Sequence, residues 1–218
     1  MRISMAWLRE QVRLMLKKGV RDMEILHPVI ELLSSHGCDR SSIMLGEFYR
    51  TGNLLDLDGC KCLNRNQLIH ARRYRAPNIE KAEFYLERAR RQGNAVALYY
   101  LMALYIDRLE YEKACSCGQR ALPHLTKEMR GCCYHALGYL YYNFNTMENA
   151  KKIAVSYWRK AARCGNGTAS YELGVLYLYG EQVRRNKKLA QRWFGKCISL
   201  NNFTVSDAKR RLKKLLLA

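Results

Sequence analysis

Proline is scarce, with three in 218 residues, well under the roughly 5% of average usage. Strand signals are weaker still: no run of strict apolar and polar alternation lies between Asn-Gly or Asp-Gly turns, so sheet architectures have no local support. Long hydrophobic runs are missing. The longest stretch without formal charge, Gly131 to Met147, is seventeen residues and carries His135, Asn143 and Asn145, a poor membrane span. Arg9, Glu10 and Arg13 interrupt what would be the apolar part of an export signal, which reads against export and for a cytoplasmic chain. Acidic residues are in deficit, 19 against 38 Lys and Arg, for a formal charge of +19. The apolar content of 49% excludes a disordered chain.

What is present is helix-forming and periodic. Leu, Ala, Lys and Arg are abundant, and several windows place apolar residues three and four apart, so the expected fold class is all-α. Leu101-Met102, Leu137-Gly138 and Leu173-Gly174 are each 36 residues apart, and Tyr105, Tyr141 and Tyr177 keep that spacing. Gly93-Asn94 and Gly165-Asn166 are 72 apart, twice the period. Upstream, Gly37, Leu45-Gly46 and Tyr49 precede their partners by 56, one period plus twenty. An insertion of about twenty residues is therefore placed between Asn53 and Ala76. Each unit reads as a helical hairpin whose glycine lets the partner helix approach, and stacked neighbours bury what one hairpin leaves open.

The pattern Ala169-x3-Leu173-Gly174-x2-Tyr177-x2-Gly180-x2-Val183-x2-Asn186-x3-Ala190-x2-Trp193-Phe194, with its counterpart Tyr157-Trp158-x-Lys160-Ala161-Ala162-x2-Gly165, resembles the Sel-one-like repeat, a branch of the tetratricopeptide superfamily. The resemblance covers about Ser41 to Asn202. It implies a right-handed α-solenoid, and an adaptor rather than an enzyme. Met102 stands in place of the glycine, Asn186 stands where aspartate is usual, and Ala97 to Leu125 reads more like an ordinary tetratricopeptide unit. The expected organisation is one repeat domain: a capping hairpin over 1–37, repeats over 41–202 with the insertion 53–76, and a basic capping helix over 203–218.

The charge is uneven. Residues 1–110 hold 18 Lys and Arg against 13 Asp and Glu, whereas 111–218 hold 20 against 6. Clusters stand at Arg184, Arg185, Lys187 and Lys188, and at Arg72, Arg73 and Arg75 beside the insertion. Such a field attracts acidic protein, nucleic acid or anionic lipid. Tyr99 and Tyr171 share a column six residues before the core tyrosines, and Tyr139, Tyr142 and Tyr179 add phenols on nearby faces. These five tyrosines and seven cations are the candidate partner-binding residues. An acidic protein partner, in a neutralising or regulatory role, is the leading expectation. RNA or DNA bound by the basic C-terminal half is the alternative, although no base-reading motif accompanies the charge.

Nine cysteines lack both the 36-residue period and an export signal, so free thiols are expected. His36, Cys38, Cys60 and Cys62, with His70 nearby, form the one grouping that could hold zinc and order the insertion. The Cys-x-Cys spacing is tighter than the common Cys-x2-Cys, and the expectation is no cofactor. No Gly-x-Ser-x-Gly, phosphate loop or His-Glu-x2-His occurs, and a cysteine nucleophile beside His124 or His135 rests on sequence proximity alone. A non-enzymatic adaptor is expected.

Overall fold

The computed structural model describes residues 4–17, 23–52, 78–144, 147–200 and 204–216. Among them the secondary structure is helical, without strands: α1 (Met5–Lys17), α2 (Met23–Ser35), α3 (Asp39–Thr51), α4 (Ile79–Arg91), α5 (Ala97–Asp107), α6 (Tyr111–Ala121), α7 (Lys127–Asn143), α8 (Ala150–Arg163), α9 (Gly167–Tyr179), α10 (Lys187–Ser199) and α11 (Val205–Leu216). The chain forms two compact units, Met1–Ala121 and Leu122–Ala218.

In the first unit, α3 packs with α4 and α5 with α6, while α4 joins α5, and α1 and α2 precede α3 in the same stack. The apolar stripe Leu8 and Val12 of α1 and the stripe Leu26, Ile30 and Leu33 of α2 are buried. Every residue from Ser41 to Tyr49 of α3 is buried, because this helix meets α2, α4 and α5. In the second unit, α7 pairs with α8 and α9 with α10, α8 joins the two pairs, and α11 lies on α10. Ala208 and Leu215 of α11 complete a core with Ala190, Phe194 and Cys197.

The glycine column works through close approach. A Cβ on Gly138 would stand 2.5 Å from the indole of Trp158, one on Gly174 2.6 Å from the ring of Phe194, and one on Gly46 2.5 Å from Leu86. A large side chain on the second helix thus fills the place of the missing methyl. Met102 inverts the arrangement: it is buried on α5, and the facing α6 buries only Ala114, Gly118 and Ala121. The bulk has moved from the second helix to the first, which is how that hairpin tolerates losing its glycine.

Asn78, Asn166 and Asn186 cap α4, α9 and α10 by accepting from the backbone N–H three residues on, at 2.8–2.9 Å, satisfying donors that a helix start leaves unpaired. The ends of the two intervening segments are fixed by equivalent bonds in the two units. Asn186 N–H donates to the Tyr177 carbonyl at 2.8 Å, and Asn78 N–H donates to the Tyr49 carbonyl at 2.7 Å. Five residues lie between Gly180 and Asn186, and 25 between Gly52 and Asn78, a difference of twenty between segments whose flanking bonds match. Residues 53–77, including Arg72, Arg73, Arg75, Cys60 and Cys62, lie outside the described residues.

Candidate partner-binding surface

The two units handle their charge in opposite ways. In the first, several arginines face carboxylates. Arg50 donates to Glu47 and Asp107 at 2.7 Å, Arg88 pairs with Glu31 and Arg90 with Glu87, and Arg108 pairs with both Glu83 and Glu110. The tyrosines there also serve acids: Tyr85 donates to Glu31 and Tyr105 to Glu83. Burial and those carboxylates push both phenols well above their ordinary range. Tyr99 belongs to this unit and is packed edge-on to Tyr100.

The second unit, residues 122–218, carries 18 Lys and Arg against 5 Asp and Glu. Among its described residues one ion pair joins a cation to a carboxylate, Arg210 with Asp207. Arg130, Arg159, Arg185 and Arg211 are held by neutral oxygens. Arg211 donates through Nε to the Tyr171 hydroxyl at 2.9 Å and through an Nη to the Tyr179 hydroxyl at 3.0 Å, and it also lies over both rings. Arg159 donates to the Tyr177 hydroxyl at 2.9 Å and Arg185 to the Leu178 carbonyl at 3.1 Å. Tyr177 and Tyr105 share a repeat column, yet one accepts from an arginine and the other donates to a glutamate. A phenol or carbonyl fixes a guanidinium without cancelling its charge, so the field of this unit stays uncompensated.

Two of the unit's carboxylates are otherwise engaged. Glu181 accepts from the Tyr142 hydroxyl at 2.8 Å; burial first, and then that bond, push the phenol up to about 12. Glu172 is half-buried, and desolvation raises its carboxyl above the ordinary range against the opposing pull of Arg211. The surface therefore has few acids with which to answer its own cations.

Of the residues expected from sequence, Tyr171, Tyr179, Arg185 and Lys187 come together around Arg211. Tyr179, Arg185 and Lys187 line a cavity of about 390 Å³ with Arg210, Arg211 and Lys214. Arg184 and Arg185 also line a second cavity, of about 590 Å³, with Arg159, Tyr177 and Asn186. Lys188 is exposed in the first turn of α10. Tyr142 packs at a tilt against Trp158 under Lys151, and Tyr139 is exposed beside Phe144. Arg210, Arg211 and Lys214, expected as part of a basic cluster over Lys209 to Lys214, and Arg159 were not among the expected partner-binding residues. The signal for Arg211 was available, since it sits between Ala208 and Leu215 on the stripe that α11 buries.

The cysteine readings resolve differently. Cys38 is buried with its Sγ accepting from Ser41, and the His36 ring bonds the Leu32 carbonyl. No metal-binding group of three or more such residues occurs among the described residues. Burial pushes the Cys115, Cys117 and Cys197 thiols up, and Cys133 to about 12, so these thiols stay protonated near neutrality and are poor nucleophiles. Burial also lowers His135, two residues from Cys133 and so on a different face of α7.

Residues 73–94, 133–166 and 167–202 match the family model of the Sel1 repeat. The chain carries Sel1 repeats. The stretch between the first two matches contains α5 and α6, the hairpin in which Met102 replaces the glycine. A crystal structure of a Sel1 repeat protein from Oxalobacter formigenes superposes with a TM-score of 0.66 at 17% identity, over 91% of this chain and 74% of that one. The structure of c5321, a protective antigen of uropathogenic Escherichia coli strains displaying an SLR fold, gives 0.56 at 21% identity over 97% of this chain, which spans 49% of that one. The fold class is thus the α-solenoid of Sel1 repeats, related to tetratricopeptide repeats. No curated protein matches the chain in sequence. Among the described residues, no helix is long and apolar enough to cross a membrane.

Proposed function

We propose that this Sel1-repeat chain is a non-enzymatic interaction scaffold whose second unit docks an acidic protein. The observation that carries the reading is the set of arginines fixed by phenols and carbonyls. Arg159, Arg185 and Arg211 are positioned before any partner arrives, and none of them is ion-paired among the described residues. Positioned cations lose little side-chain entropy on binding, and their unanswered charge favours an anionic surface. A neutralising or regulatory role toward that partner follows from the same charge complement.

Nucleic acid is the weaker reading, for a specific reason. Binding of single strands draws on open aromatic faces as stacking platforms. Here cations already lie over those faces: Arg211 over Tyr171 and Tyr179, Lys151 over Tyr142, Lys160 over Tyr134 and Tyr157, and Lys196 over Trp193. Tyr139, exposed beside Phe144, is not among them, so phosphate contact would have to carry most of such binding.

Affinity capture from lysate, run with and without nuclease, tests the proposal. An acidic polypeptide should survive nuclease treatment and be lost on replacing Arg184, Arg185, Lys187 and Lys188 by glutamate. Loss of every bound species to nuclease would overturn the reading.

A further inference from the structure

The cavity of about 390 Å³ is bounded by the end of α9, the segment joining α9 to α10, and α11. Five cations line it, Arg185, Lys187, Arg210, Arg211 and Lys214, and Arg210 alone is paired with a carboxylate, that of Asp207. Arg211 spends two of its five N–H donors on Tyr171 and Tyr179, and Arg185 spends one on the Leu178 carbonyl, which leaves three and four respectively. Leu178 and Leu215 complete the wall. The volume suits one or two side chains.

We infer that this cavity is a receptor for a short acidic–aliphatic segment of a protein partner, a Glu or Asp carboxylate beside a Leu- or Ile-sized side chain. The inference deepens the scaffold reading and rests on it. The carboxylate takes the remaining donors of Arg185 and Arg211, and guanidinium groups suit it because their planar donors match its two oxygens. The aliphatic neighbour covers Leu178 and Leu215, apolar surface for which a sugar–phosphate chain has no complement. The Tyr171 and Tyr179 rings lie against Arg211 and their hydroxyls hold it, so the site offers chiefly charge and an apolar wall, and a base would have to displace Arg211 to stack on the face it covers.

Fluorescence anisotropy with a labelled Leu-Glu-Leu-Glu-Glu-Leu hexapeptide tests this on the full chain. Two companion probes, one with Gln for Glu and one with Ser for Leu, separate the charged and apolar contributions, and an oligouridine of equal charge serves as the phosphate probe. The pocket variant is Arg185→Gln with Lys214→Gln. Its control is Lys127→Gln with Lys152→Gln, an equal charge change at exposed positions outside the cavity, and thermal melts verify that both are folded. The inference predicts at least a tenfold loss of hexapeptide affinity in the pocket variant, less than a twofold loss in the control, and weaker binding of both companion peptides. Equal losses in the two variants would overturn the pocket while leaving a diffuse acidic-partner surface intact. Absence of hexapeptide binding, with the nuclease-resistant polypeptide still captured, would also overturn the pocket alone. Oligouridine binding as tight as the hexapeptide's, and equally sensitive to the pocket variant, would overturn it in favour of a phosphate site.

Discussion

Single residues in this chain are set by what faces them, and the glycines give the sharpest case. Alanine at Gly174 would gain about 1 kcal/mol of helix propensity, but its methyl would fall 2.6 Å from the ring of Phe194, a side chain fully buried in the core. Overpacking of that kind costs about 1–3 kcal/mol, so Gly174→Ala should lower stability in urea unfolding. Gly195 in α10 is exposed and a Cβ there meets nothing within 4 Å. Gly195→Ala should therefore raise stability by about 0.5–1 kcal/mol, and a common sign for both substitutions would contradict the packing account. The Gly174 column was legible in sequence because its 36-residue period is a property of local order. The role of Tyr171 was not: its partner Arg211 lies forty residues on, in a capping helix outside the period, and the expected open anchor is instead the support of a cation.

At the level of elements, the helix starts decide how much positive field survives. Asn186 caps α10 by accepting from Leu189 N–H at 2.9 Å, and it lines the larger cavity beside Arg184 and Arg185. Aspartate, usual at this place in the resembling repeats, would cap equally well and add a favourable interaction with the helix dipole of about 0.3–1 kcal/mol. Asn186→Asp should thus raise the melting temperature and, by placing an anion among those arginines, slow association with an acidic partner. A stabilised variant with an unchanged association rate would detach the cavity from binding. The hairpins and their order were readable because turn glycines, caps and the tyrosine column repeat along the chain. The α5–α6 hairpin was harder to read, since exchanging bulk between facing helices erases the glycine signature while conserving the packing that the signature reports.

For the whole molecule, the central claim is that, among the described residues, carboxylates answer much of the first unit's arginine charge, whereas the excess charge of residues 122–218 is left largely unanswered. Composition made the excess visible in the C-terminal half, but only the partners of each side chain show why it persists: carboxylates hold Arg50, Arg88 and Arg108, whereas phenols and carbonyls hold Arg159, Arg185 and Arg211. Long-range attraction of this kind accelerates encounter more than it holds the docked complex, and salt screens it. The most direct measurement is the association rate of the nuclease-resistant acidic polypeptide as a function of ionic strength, for the natural chain and for a variant with Arg184, Arg185, Lys187 and Lys188 replaced by glutamate. The natural chain should lose association rate steeply as salt rises, with a nearly constant dissociation rate, and the variant should associate slowly at every salt concentration. An association rate that ignores salt in the natural chain would contradict the account.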